Sequence, residues 1–342
     1  MAGDCTRQIP RRGFLLSLAA TILMMAAASA PSLFYPQIAE RLELVPVATT
    51  FVFAVYTFTL LAALLYLGPL SDYIGRRPVV TAGSLALALS LAMFWFAGGL
   101  ATLLVARALQ GLAAGLLIPA LSAMMIDFEP PSHPNIAALW NTIGPMIGLG
   151  TGALGAALLL DLTPEPTAAV FGLLVLAFLI VAATVWSTPE LVPKTRIRRG
   201  DLRPRFMVPL HLRRMFTAGV PAIIAGWATN GLFLALGAGL VGSELGGSTH
   251  THAGIVIFAL AISGVTASSV LQRRSARTIS LYATSALAFG TAVSIGALAL
   301  GSYPAYVASV AIVGSGFGTA FLGVLRTLMP HTASSERAAV MA

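Results

Sequence analysis

Charge is what this sequence has least of: Asp, Glu, Lys and Arg together make up 9% of its 342 residues, where a soluble domain carries about 25%. A deficit that deep nearly excludes a soluble globular protein, because too little polar surface remains to cover one. Cysteine is scarcer still. The single Cys5 excludes an internal disulfide framework, a Cys-rich zinc site and a Cys-ligated cluster. Acidic residues number 12 against 20 basic ones, for a net charge of +8. In a soluble chain that balance would raise nucleic-acid binding; here no nucleic-acid partner is expected, because the basic residues fall between apolar runs. Catalytic signatures are missing too: the chain has no H-E-x-x-H, no G-x-S-x-G, no P-loop and no paired carboxylates within an apolar run. No enzyme, no cofactor and no metal site is therefore expected.

What is abundant is apolar sequence, 57% of the chain. A helix crossing a hydrocarbon core of about 30 Å takes about 20 residues, so this content suffices for about ten crossings. Runs separated by short polar or Gly/Pro breaks place ten candidate helices at 13–36, 47–68, 79–98, 101–124, 135–159, 167–187, 215–240, 252–271, 278–301 and 304–328. The expected fold is all-α, a polytopic membrane helix bundle. Arg11-Arg12 followed by an apolar run to Ala28-Ser29-Ala30 imitates a twin-arginine signal with its cleavage site. Pro31 directly after that site, and the length of the run, favour an uncleaved first span.

The basic residues fix the orientation. With a cytoplasmic N-terminus, eighteen of the twenty fall on the cytoplasmic side, Arg41 alone lies outside and Arg107 sits within the fourth span. The densest stretch carries Lys194, Arg196, Arg198, Arg199, Arg203, Arg205, Arg213 and Arg214. It reads as the one domain linker, 188–214, between a six-helix bundle over 1–187 and four helices over 215–342. As a function it would be a platform for anionic headgroups; as plain topology it is a long cytoplasmic loop obeying the charge rule.

Three strings carry mechanism. Between the second and third spans stands Gly68-Pro69-Leu70-Ser71-Asp72-Tyr73-Ile74-Gly75-Arg76-Arg77-Pro78. Its glycines and prolines force a tight turn, and Asp72 and the Arg pair set opposite charges at facing helix ends. In the fourth span, Arg107-Ala108-Leu109-Gln110-Gly111 puts a guanidinium within the apolar run and Gln110 about one turn away. Such an Arg faces an internal partner or cavity, unless it snorkels outward over the about 9 Å to the span's end. In the fifth span, Asn141 precedes Gly144-Pro145, and small residues recur at Gly144, Gly148, Gly152 and Ala156. That ladder lets a neighbouring backbone approach, and Pro145 should kink the helix.

The first string resembles the G-x-L-x-D-x-x-G-R-[RK] signature of the major facilitator superfamily, matched at Gly68, Leu70, Asp72, Gly75, Arg76 and Arg77. The second resembles that superfamily's R-x-x-Q-G. The third resembles the G-P-x-x-G element of its drug/proton antiporters, with Leu149 where a second Gly is usual; Thr188-Pro189-Glu190 resembles the ending seen after the sixth span. The resemblance implies a two-bundle architecture around a central cavity, with 6 + 4 spans where the superfamily usually has twelve. It implies a multi-pass protein of the cell membrane, a bacterial inner membrane, that exports small amphipathic molecules in exchange for protons. Its partners would be the small-molecule substrate, protons and membrane lipids. In it, the first string would latch the cytoplasmic side, Arg107, Gln110 and Gly111 would couple substrate and proton, and Asn141, Gly144, Pro145, Gly148 and Gly152 would form a hinge.

Met24, Met25, Trp227, Asn230 and Phe233 could line a cavity for varied substrates, since thioethers and aromatics adapt to shape. Taken singly, each reads first as a packing or lipid-facing residue. Gly314-Ser315-Gly316-Phe317-Gly318 imitates a phosphate loop but lies inside an apolar run, and reads as close helix packing. His250 and His252 read as solvated loop histidines. Two alternatives to antiport stay open: a proton-independent facilitator, favoured by the absence of acids deep in any span, and a truncated, non-transporting membrane protein, favoured by the missing pair of spans.

Overall fold

The computed structural model describes residues 2–133, 136–192, 213–246 and 249–328. Most of the expected linker, including Lys194, Arg196, Arg198, Arg199, Arg203 and Arg205, lies outside them, as does Arg337. Every regular element among the described residues is helical: α1 (Ala2–Ser29), α2 (Tyr35–Arg41), α3 (Pro46–Leu67), α4 (Leu70–Ile74), α5 (Arg76–Trp95), α6 (Leu100–Asp127), α7 (Ile136–Leu162), α8 (Pro166–Thr184), α9 (Arg213–Glu244), α10 (His250–Leu271), α11 (Ala276–Ala299) and α12 (Tyr303–Leu328), with two short 3-10 turns at Ala30–Leu33 and Val185–Ser187.

The ten expected spans are α1, α3 and α5 to α12. Nine of the described helices are long and apolar enough to cross a membrane; in α9 the apolar part is the shorter Gly219–Leu234. Proline marks their starts, at Pro46 in α3 and Pro166 in α8, where the missing N–H would have had no intrahelical partner. Interior prolines stand at Pro119, Pro145 and Pro221. Such positions are tolerated in apolar helices because neighbouring helices re-satisfy the freed carbonyls.

Two compact units result, one of residues 1–148 with 162–204, the other of residues 149–161 with 205–342, so the division falls inside α7. In the first unit α6 packs against α1, α3 and α5, and α5 against α8. Phe94 and Phe171 stack in its core with ring centres 5.8 Å apart, and Phe34 closes on Phe171 at 5.0 Å. In the second unit α12 is central and packs against α9, α10 and α11. Its core is Val310, Val313 and Tyr306, all fully buried, with Phe233 stacked obliquely on Tyr306 at 6.1 Å.

α5 begins three residues earlier than the apolar pattern predicts. Arg76 and Arg77 form its first turn although cations oppose the positive end of a helix dipole. A carboxylate from elsewhere makes that start possible.

Candidate functional site

The loop string 68–77 folds as a charge cluster. Gly75, which starts α5, has φ of +99°, a backbone conformation that only glycine takes without strain. The carboxylate of Glu190 accepts the backbone N–H of Arg76 on one oxygen and that of Arg77 on the other, both at 3.0 Å. It lies so close that a Cβ on Gly75 would stand 2.6 Å from its Oε2. Glu190 thus caps α5 and offsets the two arginines in its first turn. The Arg76 side chain spreads over three partners: Ser71 Oγ at 2.7 Å, Asp72, and Asp127 Oδ2 at 3.1 Å. The turn before α5, the end of α6 and the segment after α8 are therefore tied through one guanidinium and one carboxylate. Gly68 closes α3, Leu70 opens α4, and Arg77 Nε is buried without a hydrogen-bond partner.

Sequence reasoning placed the motif residues but not their partners. Glu190 carried a signal, the Pro-Glu pair after the sixth span; Asp127 carried only its place at a helix end.

A second site lies inside the helices. Arg107 is fully buried and is the one buried Asp, Glu, Lys or Arg among the described residues. Its Nε donates to the Tyr35 hydroxyl and its Nη1 to Gln110 Oε1, while Gln110 Nε2 donates to the Ala27 carbonyl at 2.8 Å. The guanidinium carbon sits 5.1 Å from the Tyr35 ring centre, 5.2 Å from Phe94 and 5.5 Å from Tyr56. Aromatic faces stabilise a desolvated guanidinium through their quadrupoles, so three rings replace the carboxylate that a buried cation ordinarily requires. Nη2 has no hydrogen-bond partner. Tyr35, Tyr56 and Phe94 come from α2, α3 and α5, and no spacing in the sequence brings them to Arg107.

Gly111 follows this pair and serves close approach: a Cβ there would lie 2.1 Å from Thr59 Oγ1 and 2.4 Å from the Tyr56 carbonyl. One turn on, Gly115 stands against Ala63 and the Leu60 carbonyl. The second unit repeats the arrangement. Gly314 of α12 meets the Leu260 carbonyl and Ser263 Oγ, and Gly318 meets the Gly264 carbonyl. The glycine run on α12 is thus helix packing, as its place in an apolar run suggested.

In α7, Gly144 faces Leu18, and Gly148 approaches the Ile22 carbonyl and Met25 Cβ of α1; Asn141 reaches the Ser122 carbonyl at 3.4 Å. Pro145 sits mid-helix and Gly152 is half-buried. Past the division, Gly150 packs on Ala261 of α10, and Gly254 of α10 packs on Ala157. Among the cavity candidates, Met24 is buried and Met25 half-buried in the first unit. In the second, Trp227 is 57% exposed and edge-on to Phe317, Phe233 is buried, and Asn230 is buried with Oδ1 unpartnered.

The histidines correct an expectation. His250 is not a free loop residue: its Nδ1 lies 2.8 Å from Asp161 Oδ1, and Asp161 also accepts the backbone N–H groups of His250 (3.0 Å) and Thr251 (2.8 Å). His252 packs edge-on against Tyr303. Asp161 stands at the end of α7 and caps α10, a role invisible 89 residues away in sequence. Glu129 does likewise for α7, accepting the Ala137 N–H at 2.9 Å. Among the described residues no three His, Cys, Asp or Glu side chains converge as a metal site requires.

A buried, aromatic-caged arginine one turn from a glutamine, a charge-tied loop between the second and third spans, and apolar helices of membrane length in each unit together match one class. The family profile of the Major Facilitator Superfamily matches residues 16–342, and the chain belongs to that superfamily. Among curated relatives, it is 31% identical over 237 residues to the multidrug efflux pump LfrA of Mycolicibacterium smegmatis, covering 65% of this chain and 43% of LfrA. It is 29% identical over 157 residues to the puromycin resistance protein pur8 of Streptomyces alboniger, covering 44% and 31%. It is 34% identical over 101 residues to the major facilitator superfamily multidrug transporter mfsB of Aspergillus fumigatus, covering 27% and 17%. Each match spans less than half of the relative's length. In fold the chain resembles a bacterial homolog of the human lysosomal transporter Spinster, solved in an inward-facing and occupied conformation, with a TM-score of 0.74 at 12% identity, over 97% of this chain and 77% of that one.

Proposed function

We propose that the protein exports small, amphipathic molecules across the cell membrane by alternating access, in exchange for protons, with its N-terminus on the cytoplasmic side. The observation that carries this reading is Arg107, fully buried among three rings with one nitrogen unpaired. A desolvated guanidinium without a carboxylate is costly to keep, and intramembrane charges of this kind mark pathways rather than packing. Its free nitrogen is a donor for a substrate or water that enters during the cycle. The names of the relatives, two multidrug transporters and an antibiotic resistance protein, support the substrate class.

Within this reading Gly68, Leu70, Asp72, Gly75, Arg76 and Arg77 latch the cytoplasmic side. Breaking the Arg76 contacts to Asp72 and Asp127 releases the α5 end from the α6 end. The Asn141 to Gly152 segment of α7 is the hinge, because Pro145 removes the N–H that would have bonded the Asn141 carbonyl. Met24, Met25, Trp227, Asn230 and Phe233 supply adaptable surface for substrate. The test is efflux of a fluorescent amphipathic cation from cells expressing the chain, normalised to inserted protein. Efflux above the empty-vector control that a protonophore abolishes supports the proposal; efflux indifferent to the protonophore refutes the proton part.

That second outcome is the prediction of another reading, a proton-independent facilitator. It is favoured by the burial pattern: no Asp or Glu is among the buried residues of the described chain.

A further inference from the structure

α10, α11 and α12 line an open groove of about 570 Å³ in the second unit. Its floor includes Ser315 of α12, and Tyr282 of α11 donates its hydroxyl to Ser315 Oγ at 2.8 Å. One wall is made by two parallel ridges of α10, Ile262-Thr266-Val270 and Ser263-Ala267-Leu271, each at intervals of four. Residues so spaced share a helix face, so the groove runs along α10 for about 14 Å and reaches its last residue. It is open along its side, since Val270 is 68% exposed and Ile262 44%.

At that end the chain places Arg273, Arg274 and Arg277, all exposed. Arg326 of α12 donates to the Arg274 carbonyl at 2.9 Å, bringing a fourth guanidinium to the same turn. Among the described residues none of the four forms an ion pair with an Asp or Glu. The contrast with the loop between α3 and α5 is direct, because there Arg76 is held by Asp72 and Asp127.

We propose that this groove binds one acyl chain of an anionic phospholipid, whose phosphate is held by Arg273, Arg274 and Arg277. The occupant is a membrane lipid rather than a soluble phosphate, because an open apolar channel leads away from the basic cluster into the helical part. It is anionic rather than zwitterionic because the cluster offers several cations and no acid to pair with an ammonium. Arginine suits this role, its planar donors matching phosphate oxygens in pairs. The hydroxyls along the groove are turned to internal partners: Tyr282 donates to Ser315, Ser315 to the Ile312 carbonyl, Ser263 to the Leu260 carbonyl and Thr266 to the Ile262 carbonyl.

The test is native mass spectrometry of the full chain, delipidated in detergent and then offered phosphatidylglycerol or phosphatidylcholine of equal chain length. The expected result is one phosphatidylglycerol retained per chain, at least fivefold in preference to phosphatidylcholine. Replacing Arg273, Arg274 and Arg277 together by Gln should abolish the preference. Filling the groove with Ala267→Phe, or with Val270→Phe at the exposed rim, should reduce phosphatidylglycerol retention at least threefold. Whichever filling variant keeps the wild-type unfolding temperature serves as the probe. Equal retention of the two lipids, retention indifferent to the filled groove, or displacement by glycerol phosphate at millimolar concentration would each overturn the proposal. All three readouts are binding, so they stand apart from any transport activity.

Discussion

The two units solve one packing problem in the same way and then diverge in chemistry. In the first, Gly111 and Gly115 of α6 press against the Tyr56 carbonyl, Thr59 hydroxyl and Leu60 carbonyl of α3; in the second, Gly314 and Gly318 of α12 press against the Leu260 carbonyl, Ser263 hydroxyl and Gly264 carbonyl of α10. Register carries the comparison further. Four residues before Gly111 stands Arg107, and four before Gly314 stands Val310; Gln110 answers to Val313, and Tyr56 to Leu260. Val310, Val313 and Leu260 are all buried. The packing frame is repeated, while the caged guanidinium exists once. Close approach through glycine is a need of both helix pairs, whereas a buried charge is costly and is found only in the pair where three rings surround it.

The loops diverge in the same sense. In the first unit α5 is capped by a carboxylate from another segment, Glu190, and its arginine is neutralised by acids; in the second, α11 is capped by its own Ser275, which accepts the Thr278 N–H at 3.2 Å. One loop is tied by long-range charge, the other by a local cap.

The largest stability effects should fall equally on both units. Gly111→Ala and Gly314→Ala each force a Cβ within 2.1 Å and 2.0 Å of neighbouring oxygen atoms, and each should destabilise by about 1–3 kcal/mol or more, as overpacking does. Thermal unfolding in detergent measures both; a silent Gly314→Ala would break the repeat. Gly75→Ala comes next, combining the strain of a positive-φ extended conformation, about 1–3 kcal/mol, with a displaced Glu190. It should lower the unfolding temperature and uncap α5, seen as faster hydrogen exchange at the amides of Arg76 and Arg77. Glu190→Ala should cost about 0.5–2 kcal/mol through the lost cap and speed exchange at those same amides. The smallest effect is expected from Ser275→Ala, about 0.5 kcal/mol, at the low end for a lost local cap and confined to the start of α11. If Ser275→Ala proved the more damaging of these two cap deletions, the contrast between a long-range and a local tie would fail.

Much of this fold is legible in sequence, for physical reasons. Apolar runs of membrane length declare themselves by composition, and the loop prolines and glycines set the limits of all but the first within a few residues; the expected 13–36 span instead divides into α1, which begins at Ala2, a 3-10 turn and the start of α2. The motif residues Asp72, Arg76 and Arg107 are legible because charge is rare enough here for each to stand out, and Gln110 because it lies one turn from Arg107. Their partners are not. Glu190 lies 114 residues from Arg76 and Asp161 lies 89 from His250, so only the folded chain brings them together. The Arg107 cage is hidden for another reason: Tyr35, Tyr56 and Phe94 are three aromatics among many on apolar helices, and nothing local separates them from lipid-facing ones. The histidine expectation failed in the same way, since the carboxylate that pairs with His250 belongs to a different helix.

The central claim is that the caged guanidinium serves transport and its aliphatic counterpart serves packing. Efflux of a fluorescent amphipathic cation, measured for Arg107→Ala and Val310→Ala at equal membrane-inserted levels, tests it directly. The account predicts at least a tenfold loss of efflux for Arg107→Ala and a near wild-type rate for Val310→Ala. Full efflux by Arg107→Ala, or an equal loss in both variants, would contradict it.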